Sequence, residues 1–215
     1  GESGSGKSAL LANWLVKFRE LHPDAFTVAH FVGSTPDSTD PVRILRRVME
    51  EIKARYEPAP QSGKSSIGTE GRAELDDIPT DPDKVRTAFP LWLAKAAAKG
   101  KFVLILDALN QIEDHDHALN LSWLPEYFPP NIRVILSILP GRSWEALQRR
   151  NWNWPTCELS LLNTEQRQKI IREYLGQFRK ELSEEQTKRI TDAEPSANPL
   201  YLRALLNELR VYGRH

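Results

Sequence analysis

The chain has 215 residues, 40% of them hydrophobic and 27% charged, enough to bury a substantial core and organise one large α/β domain with a smaller appendage. Its 29 Lys+Arg balance 29 Asp+Glu for a formal net charge of +0, which supplies no whole-chain field for nucleic acid or an anionic membrane. No run of about 18 apolar residues is present, no charged start leads into an apolar stretch, and one cysteine, Cys157, permits no internal disulfide or Cys-based zinc site. These features predict a soluble, cytoplasmic protein.

The first eight residues, "GESGSGKS", carry the pattern G-x-x-x-x-G-K-[ST] through Gly1, Gly6, Lys7 and Ser8. Glycines let successive backbone amides turn inward around phosphate oxygens. The amides of Gly1, Gly4, Ser5, Gly6, Lys7, Ser8 and Ala9 are expected to cradle phosphates. Lys7 would reach the β- and γ-phosphates and Ser8 would ligate Mg²⁺. Apolar residues at Leu10, Leu11, Trp14, Leu15 and Phe18 continue the loop directly into a helix. The strand that should carry Gly1 is expected to lie outside this chain.

"FTVAHFVG" then reads as a buried strand, and "DSTDPVRILRRVMEEIKARY" as a helix capped by Asp40, with Pro41 at its first position. Residues 57–82, rich in proline and small polar residues, read as a long loop. A helix is expected through "DKVRTAFPLWLAKAAAKG", kinked at Pro90 and ended by Gly100. The apolar runs "FVLILDAL" and "RVILSILPG" read as adjacent parallel strands buried on both faces, and "CELSLL" as a further strand. Three helices follow, opened by Asn163 or Thr164, by a Ser183–Gln186 capping box, and by Asn198 ahead of Pro199. The expected fold is an α/β P-loop NTPase with a parallel sheet over 1–162, followed by a small helical subdomain over 163–215.

Given the loop, Asp107 at the carboxyl end of "FVLILD" is the expected second holder of Mg²⁺, acting through water. Asn110 and Gln111 stand where many related ATPases place a water-activating acid. Amides orient a water without taking its proton, so hydrolysis is expected to be slow. Ser137 is expected beside the γ-phosphate, and Arg142 either reaches the same phosphate or lies on the surface.

Other suggestive stretches are weaker. "SGKSS" at Ser62 to Ser66 has Pro58 at the first glycine position, and "LSEEQTKR" reads as a capped helix start rather than a transporter signature. "EDHDH" at 113–117 reads as a polar loop, and no N-K-x-D guanine motif appears. Trp144, Trp152 and Trp154 beside Arg149 and Arg150 read as packing residues.

The loop, "HFVGSTPDSTDPVRILRRV", "LILDALNQIED", "RVILSILPG" and "NPLYLRALLNELR" together resemble the NACHT type of STAND NTPases, in particular nephrocystin-like proteins with TPR or WD repeats beyond this module. The resemblance covers nearly the whole chain. It implies an ATP-binding core with a helical subdomain, Lys7 and Ser8 in the phosphate-loop roles, Asp107 on magnesium, Ser137 as sensor, and Pro199 packing near an adenine. Members often carry acids where Asn110 and Gln111 stand, and an Arg directly at the sensor strand's end.

The function expected on these grounds is a regulatory switch that binds ATP or ADP with Mg²⁺ in a larger signalling or scaffold protein. Hydrolysis would be slow, self-association nucleotide-controlled, and protein partners bound through segments outside the chain. Two alternatives stand beside it: an active ATPase doing remodelling work, and a non-hydrolysing interaction scaffold.

Overall fold

The computed structural model describes residues 2–56, 77–150 and 154–212. Gly1, the Ser62–Ser66 echo, Trp152 and most of the stretch read as a long loop lie outside the described residues. The chain divides into two compact units, one formed by Gly1–Leu10 with Asn153–His215 and the other by Leu11–Trp152. Helix α1 (Lys7–Leu21) begins in the first and continues into the second.

The Leu11–Trp152 unit is built on a three-stranded parallel sheet in the order β1 (Phe26–Phe31), β2 (Phe102–Asp107), β3 (Ile132–Leu136). All six residues of β2 are buried, as a central parallel strand covered on both faces requires. Successive side chains of a strand point to opposite faces, so Val103 and Ile105 share one face and Phe102, Leu104 and Leu106 the other. On the first face, Val103 and Ile105 pack with Leu15 of α1, flanked by Leu11, Trp14, Phe18, Ala29 and Ile135. Of the apolar residues read at the start of α1, Leu11, Trp14, Leu15 and Phe18 cover the sheet, whereas Leu10 is exposed.

Helix α2 (Pro41–Tyr56) buries Ile44, Leu45, Val48, Met49 and Ile52, residues at helical spacing. Asp40 caps it as expected, its Oδ1 accepting the Val42 N–H at 2.8 Å. Helix α3 (Pro82–Lys99) packs against α2 and buries Val85, Phe89, Trp92, Leu93, Ala96 and Ala97. Asp81 is its cap, accepting from Lys84 N at 3.0 Å, and Pro82 takes the first helical position. The helix is continuous through Pro90 and stops at Gly100. Helix α4 (Arg142–Arg149) closes the unit, with Leu147 buried.

In the other unit, α5 (Thr164–Gly176), α6 (Glu184–Asp192) and α7 (Pro199–Tyr212) enclose a core of Ile171, Leu175, Leu202 and Leu206, with Leu162, Tyr174, Ile190 and Leu209 against it. Both N-terminal capping boxes are present, Asn163 with Gln166 and Ser183 with Gln186. Arg167 finishes α6 by donating to the carbonyls of Thr191 and Ala193. Lys180 does the same for Leu209 and Arg210 near the end of α7.

"CELSLL" is not a strand. Residues 157–162 carry no regular structure, and the Leu162 N–H goes to the Ala197 carbonyl at 2.8 Å in the turn before α7. Of its apolar residues Leu162 packs against the helical core, while Cys157 and Leu161 are exposed.

Candidate functional site

The loop before α1 is shaped by two glycines with left-handed backbones, Gly4 at φ 76° and Gly6 at φ 88°. Side chains other than glycine rarely adopt that region, which accounts for both glycines. Ser5 between them is buried, and its N–H bonds the Glu2 carbonyl at 3.3 Å. Lys7 spans the loop, its Nζ donating to the Glu2 carbonyl at 2.7 Å and to Ser5 Oγ at 3.0 Å. Ser8 and Ala9 are exposed in the first turn of α1, at the positive end of the helix dipole. No acidic side chain stands in that turn.

Pro199 and its neighbour Asn198 belong to the same unit as this loop. A Cβ on Gly6 would lie 3.9 Å from Pro199 Cβ and Cγ, so Pro199 sits in van der Waals reach of the second glycine. The sequence reading passed over Asn198 as a site residue and gave it only a capping role. It does cap α7, with Oδ1 accepting from Leu200 N at 2.9 Å and Tyr201 N at 3.3 Å. Its Nδ2 also donates to the Ser3 carbonyl at 2.9 Å. No sequence signal connects positions so far apart.

The other unit holds the remaining expected site residues. Asp107 ends β2 and is 1% exposed. Leu106 pairs with Leu136, the Ser137 N–H donates to the Leu106 carbonyl at 3.0 Å, and Leu109 N donates to the Ser137 carbonyl at 3.0 Å. Ser137 is therefore set beside the Asp107 end of the strand. Asp107 Oδ1 and Ser137 Oγ are both buried without a hydrogen-bond partner among the described residues. An unsatisfied buried polar group costs about 1–3 kcal/mol, and a charged one more. Ser143 and Ser196 also bury unpartnered hydroxyls, but Asp107 is the carboxylate of the group. A carboxylate with a hydroxyl beside it at a strand's carboxyl end is a donor set that fits a hydrated cation or another polar ligand.

Immediately after Asp107, Ala108 adopts φ 59°, ψ 45°, a left-handed conformation that costs a non-glycine residue about 1–2 kcal/mol. The kink directs Leu109 into the core and leaves Asn110 and Gln111 exposed. Gln111 lies against Gly33, where φ is 82° and an added Cβ would fall 1.9 Å from Gln111 Oε1. Only a residue without a side chain fits there.

The acids beyond Gln111 are tied elsewhere. Glu113 Oε1 accepts from Thr39 Oγ1 at 2.8 Å and its Oε2 faces His115 Nε2 at 3.0 Å; the Thr39 bond, then the His115 bond, hold its carboxyl below the usual range. Asp114 pairs with Arg142, whose Nε also donates to Asn120 Oδ1 at 2.9 Å, and Asp116 pairs with Arg86 at 3.5 Å. Arg142, expected near a γ-phosphate, is thus held by the 114–120 segment. Among the described residues no group of three or more His, Cys, Asp or Glu is gathered for a metal, and no helix is long and apolar enough to cross a membrane.

No protein-family model matches the chain. It is similar to a TPR repeat-containing protein of Dictyostelium discoideum, 32% identical over 99% of this chain and 14% of the relative. It is 30% identical to tetratricopeptide repeat protein 41 of Rattus norvegicus over 99% of the chain and 16% of that protein, and 26% identical to nephrocystin-3 of Xenopus tropicalis over 99% and 15%. The chain therefore spans 14–16% of the length of these relatives. The first two are named for tetratricopeptide repeats, which points to a repeat-based interaction scaffold. That overturns the expected ATP-controlled regulatory switch, together with its description as a NACHT signal-transduction module with nucleotide-controlled oligomerisation.

Proposed function

We propose that this chain is a folded segment of a non-hydrolysing, repeat-protein interaction scaffold. The observation that carries the reading is its similarity, over 98–99% of its length, to proteins named for tetratricopeptide repeats. Such repeats stack into extended concave surfaces that bind other proteins. The segment itself would serve as a platform within that assembly, its partners being proteins bound by the parent chain.

The absence of a poised base after Asp107 supports a scaffold over a remodelling ATPase. Asn110 and Gln111 take no protons, and Glu113 and Asp114 are engaged with Thr39 and Arg142. We further infer a P-loop type of fold, carried as architecture alone, because fold does not imply activity. On this reading the loop residues Gly4, Ser5, Gly6, Lys7, Ser8 and Ala9 hold the phosphates of ATP or ADP as a fixed cofactor. Asp107 and Ser137 of the sheet unit suit a hydrated Mg²⁺. When bound, the cofactor would supply negative charge against the amides of the α1 N-terminus.

The test is ATP turnover by the full-length protein with Mg²⁺. The scaffold reading predicts no phosphate release above that of a Lys7→Ala variant. Turnover above about 1 per second that is lost in Lys7→Ala would sink it in favour of a working ATPase.

A further inference from the structure

The carboxamide of Asn198 bonds at once to the glycine-rich loop and to the start of α7. Its Oδ1 accepts the N–H groups of Leu200 and Tyr201, and its Nδ2 donates to the Ser3 carbonyl at 2.9 Å. The Leu200 N–H is shared, reaching the Gly4 carbonyl at 3.3 Å as well as Asn198 Oδ1 at 2.9 Å. The loop's third and fourth carbonyls are thereby both fixed by the helix entrance. Sterics point the same way, because a Cβ on Gly4 would stand 2.7 Å from Asn198 Oδ1, 2.9 Å from Nδ2 and 3.2 Å from Cγ. Gly4 is needed both for its φ of 76° and for room to lay this carboxamide across it.

The chemistry singles out asparagine. Serine and aspartate cap a helix as well as asparagine does, but the position also requires a donor toward Ser3. The orientation of the amide is fixed by the network, since a flipped amide would set NH₂ against two N–H donors and oxygen against a carbonyl. Drawing the carbonyls of residues 3 and 4 toward α7 fixes the two peptide planes that also carry the Gly4 and Ser5 amides, the latter bonded to the Glu2 carbonyl at 3.3 Å.

We propose that Asn198 is a positioning residue for the loop: from the entrance of α7 it holds residues 3–6 in the conformation that accepts phosphate. The second half of this statement rests on the reading that the loop holds phosphates; the clamp itself does not.

The experiment therefore reads both in the full chain. Hydrogen exchange of amides in residues 2–9, followed by mass spectrometry, is compared for the native protein, Asn198→Ser and Asn198→Asp. Both variants keep a cap acceptor for α7; aspartate has no donor for Ser3, and the serine hydroxyl falls one atom short of the amide's reach. Loop exchange should quicken about tenfold, the scale of one lost hydrogen bond, with α7 amides within about twofold. Affinity for inorganic tripolyphosphate and for Mg–ATP should fall about tenfold in the uncharged Asn198→Ser. Loop exchange within twofold of native in both variants would overturn the clamp, and quickened exchange with unchanged affinity would overturn its role in positioning. If the native protein binds neither probe while the exchange responds, the clamp stands and the phosphate reading fails.

Discussion

Asp107 and Ser137 stand at neighbouring positions where β2 and β3 end, each with a buried oxygen that no described residue satisfies. Asp107 is the costlier of the two. Replacing its carboxyl group by an amide keeps its shape and adds an N–H donor beside the unpartnered Ser137 hydroxyl. Asp107→Asn is therefore expected to stabilise the ligand-free protein by about 1–3 kcal/mol, a thermal midpoint raised by at least about 2 °C. Calorimetry with EDTA present checks this, and Mg²⁺ should stabilise the native protein but not the variant. A variant less stable than native without Mg²⁺ would mean that the carboxylate is satisfied in the free protein.

His30 sets the acid response of the sheet unit. It is buried, its Nε2–H donates to the Ser38 carbonyl at 2.9 Å, and its Nδ1 accepts from Arg47 at 3.0 Å, an arrangement available only to the neutral ring. Burial pushes its pKa below 6.5, with Arg47 adding to the shift and the Ser38 bond opposing it. A lowered histidine contributes stability that is complete above the unfolded pKa and is lost as pH falls through the window beneath it. Denaturation midpoints measured between about pH 7.5 and 5 should fall with pH, and His30→Gln should flatten that part of the profile.

Arg150 anchors the segment after the 115–120 turn by donating to the carbonyls of Leu121, Leu124 and Pro125. Arg150→Ala leaves three part-buried carbonyls short of a donor and is expected to cost about 2–3 kcal/mol. Urea denaturation checks it; Arg150→Lys, a point charge that cannot reproduce the fork, should recover less than half of the loss.

The helical unit stands on few residues. Leu202 and Leu206, one turn apart on α7, are both 0% exposed and meet Ile171 and Leu175 of α5. Leu202→Ala should cost about 2–5 kcal/mol. Hydrogen exchange should show that loss across α5–α7, with the strands of the sheet unit far less affected.

Much of this architecture was legible because local chemistry and burial agree. Phe102–Asp107 is apolar without interruption and occupies the middle of the sheet; Asp40, Asn163 and Ser183 cap the helices their positions announced. "CELSLL" misled because alternation marks a strand only when a neighbour offers a ladder, and Leu162 finds the helical core instead. Asn198 escaped for a related reason. A cap acceptor is visible in sequence, whereas the donor on the same amide meets Ser3, a residue 195 positions away. The ion pairs that tie Asp114 to Arg142 and Asp116 to Arg86 were equally out of reach, since their partners lie 28 and 30 positions apart.

The central claim is that the segment serves a protein-binding scaffold whose associations do not depend on nucleotide turnover. The most direct measurement identifies the partners of the full-length protein by cross-linking in cells, then determines the affinity of each for the purified protein with ADP, with ATP and without nucleotide. The account predicts partner affinities equal within about twofold in all three conditions, and equal again in Lys7→Ala. A change of tenfold or more between nucleotides, abolished by Lys7→Ala, would contradict it.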